Sequence, residues 1–144
     1  MKFKVYGKNL EECFKNAAHN LIKTLCNEDI NLLQKKTIKI HANDKESLLY
    51  NLLEKILYFL EIGDFLVWKI KDINITVIPK IKGNRKFYNL ELLAEVYGDN
   101  IDNYKINKRI TGIKKDSISI NTISGITNET DRKKIFECRF IAEF

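Results

Sequence analysis

The chain has 144 residues, with 25 Lys+Arg against 19 Asp+Glu and a formal net charge of +6. Its length predicts one domain over residues 1–144, and 44% apolar content excludes the disordered class. No apolar run reaches the roughly 18 residues of a membrane span, and the basic start lacks the apolar core of a signal peptide. We therefore expect a cytoplasmic protein that contacts no membrane.

The first half of the chain alternates two strands with two helices. Lys2–Tyr6 and Thr37–His41 alternate apolar and polar residues, which predicts short strands. Apolar residues three and four apart predict amphipathic helices over Leu10–Cys26 and from Asn43 to about Leu60.

Polar residues mark the expected ends of these helices. Asn9 is the expected cap of the first helix. Asn43 and Glu46 fit a capping box at the start of the second, and Gly63 is the expected stop.

The second half is rich in β-branched and aromatic residues, which predicts strands. A turn is expected at Lys82–Arg85, a break at Gly98–Asn100 and a polar loop at Ser124–Lys133. The predicted strands are Phe65–Ile70, Ile73–Ile78, Phe87–Tyr97, Asn107–Ile113, Ser117–Ile123 and Lys134–Ala142. The order β-α-β-α followed by several strands predicts an α+β fold, with two helices packed on a mainly antiparallel sheet.

Common catalytic motifs are absent from the sequence, including phosphate-binding glycine loops and zinc-protease histidine pairs. His19 and His41 are isolated, so we expect them to be boundary residues and not catalysts. Cys13, Cys26 and Cys138 form no C-x-x-C pair, so buried thiols are expected in place of a zinc site. These patterns favour a protein that is not an enzyme.

Two short segments carry candidate functional residues. Asp99 and Asp102 could offer oxygen ligands to a cation, although bonding of the loop backbone is the stronger interpretation. If Asn107–Ile113 is a strand, Lys108 shares a face with Ile106 and Ile110. That register is unusual for a lysine, so Lys108 is either a functional residue or an edge lysine that prevents aggregation.

Five segments, read together, resemble the archease family. Their family patterns are YG-x-[ST]-LEEAF, LL-x-x-WLNELLYL, A-x-x-x-GE, [EV]-K-A-V-T and V-x-x-D-[IL]. Here they read YGKNLEECF at Tyr6–Phe14, LLYNLLEKILY at Leu48–Tyr58, AEVYGD at Ala94–Asp99, NKRIT at Asn107–Thr111 and FIAEF at Phe140–Phe144.

The resemblance implies a non-catalytic activator of the GTP-dependent RNA ligase of transfer-RNA splicing and RNA repair. Such a protein promotes guanylylation and multiple turnover of the ligase, its direct partner, with transfer RNA as an indirect one. By position, Lys108 matches the functional lysine of the family. Glu143 and Phe144 match two ligands of a cation site usually described with calcium.

The chain departs from the family pattern at that cation site. An aspartate in a His-Thr-Ala-Asp motif would fall immediately before Met1, and Glu143 stands in place of the second aspartate. We therefore expect either a truncated start or a diverged member with weakened calcium binding, because charge count sets cation affinity. The alternative function is an RNA-binding or protein-interaction module that keeps the fold, has lost the cation site and uses its lysine-rich strands.

Overall fold

The structure, a computed structural model, describes residues 1–126 and 132–144. Within these residues, the helices are α1 (Leu10–Leu25) and α2 (Lys45–Glu61), and Ile101–Asn103 form a single 3-10 turn. The strands are β1 (Lys2–Gly7), β2 (Gln34–Ala42), β3 (Phe65–Lys82), β4 (Arg85–Asn100), β5 (Gly112–Ile126) and β6 (Arg132–Glu143).

The strands form two antiparallel sheets, and the predicted α+β class and β-α-β-α order are confirmed. The first sheet has the order β1-β6-β5, and the second has the order β2-β4-β3. Helix α1 packs on β1, β3 and β6, whereas α2 packs on β2, β3, β4 and β5. The helices therefore connect the two sheets. The distribution of the strands between two sheets cannot be read from the residue pattern of any single element.

The main core lies between the helices and both sheets. Every third or fourth residue of α1 is buried, as the spacing predicts, and Asn9 caps this helix by accepting a 2.8 Å hydrogen bond from the Glu12 amide. Helix α2 buries a leucine-rich face against the same cluster. Its buried members are Leu48, Leu49, Leu52, Leu53, Ile56, Leu57 and Phe59.

The predicted capping box at the start of α2 is wrong by one residue. Asp44 is the cap, and its Oδ1 accepts a 2.7 Å hydrogen bond from the Ser47 amide. Both Asn43 and Asp44 are good cap formers, so composition does not separate them. Gly63 follows the end of the helix, as expected.

The expected break at Gly98–Asn100 is also wrong, because these residues continue β4. Gly98 pairs with Val67, where β3 carries a bulge, and a Cβ at this position would overlap the Leu66 carbonyl. The glycine permits close strand approach here. A second irregularity, where Asp72 has a φ of 52°, bends β3 without ending it, so the two predicted strands are one.

The predicted strand over Asn107–Ile113 is wrong as well, because β5 begins at Gly112 and residues 104–111 form an irregular crossing segment. The turn near Gly83 is confirmed, with a φ of +63° at that glycine. Of the loop expected at Ser124–Lys133, residues 124–126 and 132–133 continue β5 and β6, and residues 127–131 lie outside the described residues.

Candidate functional site at the chain ends

The two ends of the chain lie side by side at one end of the first sheet, where β1 begins and β6 finishes. The β1–β6 register pairs Lys2 with Ile141. One residue further along, the Met1 ammonium donates to the Ala142 carbonyl at 2.9 Å, and the Ala142 amide donates back to the Met1 carbonyl at 2.9 Å. Antiparallel pairing thus brings residues at the start of the sequence next to Glu143 and Phe144.

The crossing segment 104–111 reaches the same end of the sheet, on the β5 side of β6. The Asn107 amide donates to the Leu25 carbonyl at the end of α1, at 2.8 Å. Ile110 is buried in the main core. The Thr111 amide and hydroxyl both donate to the Glu143 carbonyl, at 2.8 Å and 3.3 Å. These attachments fix the backbone on both sides of Lys108, although the segment is not a strand.

Lys108 is an exposed residue whose ammonium lies 5.0 Å from the centre of the Phe144 ring. A cation over an aromatic face is worth about 0.5–1 kcal/mol at an exposed site. The apolar register that singled out Lys108 is absent, because the strand it assumed is absent. The structure nevertheless brings Lys108, Glu143 and Phe144 together with Met1 and Thr111, five residues that we call the terminal cluster.

Sequence reasoning missed the part that Thr111 and Met1 take in this cluster. Thr111 belongs to the same family pattern as Lys108, three residues later, and that shared pattern was the available signal. The proximity of Met1 follows from strand pairing across almost the whole chain, which local patterns do not report.

The terminal cluster does not fit calcium as it stands. Its one acidic side chain is that of Glu143, whereas calcium takes about six to eight oxygens. The Glu143 carbonyl already accepts two hydrogen bonds from Thr111. Across residues 1–126 and 132–144, no three His, Cys, Asp or Glu side chains are grouped as metal ligands would be.

The other acidic pair, Asp99 and Asp102, is not brought together as a ligand set. The Asp99 side chain is 4% exposed and accepts hydrogen bonds from the Tyr104 hydroxyl and the Asn100 amide, both at 2.8 Å. These bonds hold the pKa of Asp99 below its usual value, with the Tyr104 bond as the largest cause. Asp99 thus fixes the start of the crossing segment, in agreement with the loop-bonding interpretation.

A surface hollow of about 640 Å³ lies along the crossing segment. Asp102 and Arg109 both line it, with Glu61 at the end of α2 and Asp64 just beyond that helix. Arg109 directly follows Lys108, so two cations of the crossing segment occupy adjacent surface positions. Mixed charge suits a protein contact better than it suits a single ionic ligand.

The histidines and cysteines stand apart from this site. His19 Nε2 accepts a 3.3 Å hydrogen bond from the Ile70 amide, and His41 pairs with Glu91 at 2.8 Å. All three cysteines are free and buried, as expected. Cys13 and Cys138 are nevertheless neighbours, with their sulfurs 2.7 Å apart in the core.

Comparison with known proteins agrees with the sequence resemblance. The profile of the Archease protein family (MTH1598/TM1083) matches residues 1–140. The chain belongs to the archease family. Within the described part of this archease-family chain, no helix is long and apolar enough to cross a membrane.

Two curated archease proteins are similar to the chain. The protein from Methanosarcina mazei is 27% identical over 95 residues, which is 65% of this chain and 61% of that protein. The protein from Pyrococcus abyssi is 33% identical over 100 residues, or 67% of this chain and 63% of that protein. The matched region therefore spans less than two thirds of either archease.

The archease fold is also evident in a solved structure. The solution structure of Methanobacterium thermoautotrophicum protein 1598 superposes with a TM-score of 0.64 at 18% identity. The superposition covers 99% of this chain and 91% of that protein.

Proposed function

We propose that this protein is a non-catalytic activator of a GTP-dependent RNA ligase, and that it promotes guanylylation and multiple turnover of the ligase. Membership of the archease family supports this role. The observation that carries it is the position of Lys108, an exposed cation on a segment fixed by Asn107 on one side and by Ile110 and Thr111 on the other.

The Lys108 side chain is positioned to contact an anionic group on a partner. A lysine is a compact charge on a flexible stem, which suits contact with a phosphate or carboxylate. Among the described residues, no carboxylate lies within ion-pair distance of Lys108, and its ammonium rests on the Phe144 ring. When the complex forms, the Lys108 ammonium leaves the Phe144 ring and contacts an anionic group of the ligase or of its nucleotide.

A ligation assay with the cognate ligase and a nicked RNA tests this role. We expect wild-type protein to raise the number of ligation cycles per ligase, and Lys108→Ala to reduce that gain by about tenfold, equivalent to about 1.4 kcal/mol. Lys105→Ala is the matched control, because Lys105 is an exposed lysine on the same segment. Circular dichroism checks that both variants fold. Turnover that is unchanged by the protein, or equal with Lys108→Ala and wild type, contradicts the proposal.

A further inference from the structure

The β3–β4 hairpin extends beyond the rest of its sheet. The last residue of β2, Ala42, pairs with Leu90, whereas β3 and β4 remain paired from Ile78 and Asn89 to Lys82 and Arg85. We call residues 78–89 the distal ribbon. An isolated two-stranded ribbon has only marginal stability in water, so the exposed apolar and charged residues of this one are not explained by stability.

The distal ribbon carries a net positive charge. It has four cations and no acidic residue, and the nearest acids in the sequence are Asp72 and Glu91. Side chains that pair directly across an antiparallel ladder share a face, so Lys82 lies opposite Arg85. Directly opposed like charges destabilise a sheet. The cations of the ribbon are Lys80, Lys82, Arg85 and Lys86.

Lysines alone could protect an edge strand from aggregation, but the ribbon also exposes aromatic rings. Phe87 is 39% exposed and lies directly opposite Lys80, on the face that carries Lys82 and Arg85. Tyr88 is 63% exposed on the other face, opposite Pro79. Exposed aromatic residues invite self-association, so protection from aggregation does not explain them.

A surface hollow of about 550 Å³ combines these groups. It lies where β2 ends and the ribbon begins, and none of its lining residues among the described part of the chain carries a carboxylate. Cations with aromatic rings are the elements with which proteins bind single-stranded nucleic acid, because cations contact phosphates while rings stack on bases. The lining residues are Asn43, Lys82, Arg85, Lys86, Phe87 and Tyr88.

We propose that the distal ribbon binds single-stranded RNA. Lys82 and Arg85 contact phosphates, which relieves their mutual repulsion, and an unpaired base stacks on Phe87. A duplex fits less well because its bases are already stacked, and the carboxylate side chains of an acidic peptide do not stack on Phe87. The inference goes beyond ligase activation and does not depend on it, because the ribbon and the terminal cluster share no residue.

The test is fluorescence anisotropy of a labelled 12-nucleotide oligouridine with the full chain, over a series of salt concentrations. We expect the logarithm of the binding constant to fall linearly with the logarithm of salt concentration. The double variant Lys82→Ala, Arg85→Ala should reduce the slope by about 1.4, because each single-strand phosphate contact contributes about 0.7. Its folding should be intact, since a repulsive pair is removed.

Phe87→Ala isolates stacking from charge. Its affinity for oligouridine should fall by about tenfold with an unchanged salt slope, because a stacked base contributes about 1–3 kcal/mol. Lys8→Ala with Lys23→Ala is the matched control, since it removes two exposed cations outside the ribbon. The fluorescence of Trp68, the single tryptophan, shows whether each variant is folded.

Three results would overturn the inference: no binding of oligouridine, equal binding by the ribbon variants and the control, or ribbon-dependent binding of polyglutamate as tight as that of RNA. The last result would assign the ribbon to an acidic protein partner.

Discussion

His19 lies where α1 faces β3, and it accepts a hydrogen bond from the Ile70 amide through Nε2. That bond needs a neutral nitrogen with a free lone pair. Burial lowers the pKa of His19, and the neighbouring cations Lys15, Lys23 and Lys69 lower it further. The site therefore stabilises the uncharged form of the ring.

The lowered pKa of His19 should make the free energy of unfolding depend on pH. Since the folded pKa of His19 lies below the unfolded value near 6.5, the unfolded state binds more protons as pH falls. The free energy of unfolding should be greatest above about pH 7 and fall from pH 7 to 5, by at most about 1.4 kcal/mol per pH unit.

Urea unfolding at several pH values measures this dependence. His19→Gln should flatten it, whereas His41→Gln, which alters the exposed pair with Glu91, should leave it in place. An equal slope in wild type and His19→Gln would show that another group titrates.

At the scale of elements, amphipathic spacing predicted both helices to within two residues, because burial of one face repeats along a helix. Two of the strand errors involve contacts between distant segments. Gly98 resembles a strand break, yet it continues β4, where Leu66 approaches it closely. Asn107–Ile113 has strand-like residues, yet only Gly112 and Ile113 pair within β5, and the Asn107 amide bonds to the end of α1.

Lys108 was chosen for the candidate site first by its assumed strand register and then by the family pattern. Its strand register was wrong, while its proximity to Phe144 comes from pairing between the ends of the chain. Pairing between residues that are more than a hundred positions apart in the sequence produces no local periodicity. The distal ribbon, in contrast, is visible in the sequence as an acid-free stretch, but its exposure depends on where β2 ends.

The start of α2 offers a clear prediction at this scale. Asp44→Ala should lower the free energy of unfolding by about 1 kcal/mol, because the Ser47 amide loses its acceptor. Asn43→Ala should change it by less than about 0.5 kcal/mol. Chemical denaturation followed by circular dichroism measures both variants. A larger loss at Asn43 would restore the capping box that the sequence suggested.

At the scale of the whole molecule, two sheets share one core through the helices. The Glu54 side chain of α2 accepts a 2.9 Å hydrogen bond from the Ile113 amide at the start of β5, in the first sheet. The same helix buries its leucines against the second sheet. Trp68 belongs to β3 in the second sheet and packs against the core, so its fluorescence reports on that side of the molecule.

We expect the sheets to unfold together, in a single transition seen equally by Trp68 fluorescence and circular dichroism. Glu54→Ala should shift that transition by about 1–2 kcal/mol, because the Ile113 amide loses its acceptor. Glu61→Ala, at the exposed end of the same helix, is the control. A fluorescence transition that Glu54→Ala leaves unmoved would mean that the sheets unfold independently.

The pair of buried thiols has a practical consequence. Cys13 belongs to α1 and Cys138 to β6, so an alkylating reagent reaches either sulfur only after the helix separates from the sheet. Their shared hydrogen bond, which lowers the pKa of Cys13 and raises that of Cys138, is broken in the separated state, where the reagent can reach both thiols. The rate of alkylation therefore measures how often the α1–β6 contact opens in the native state.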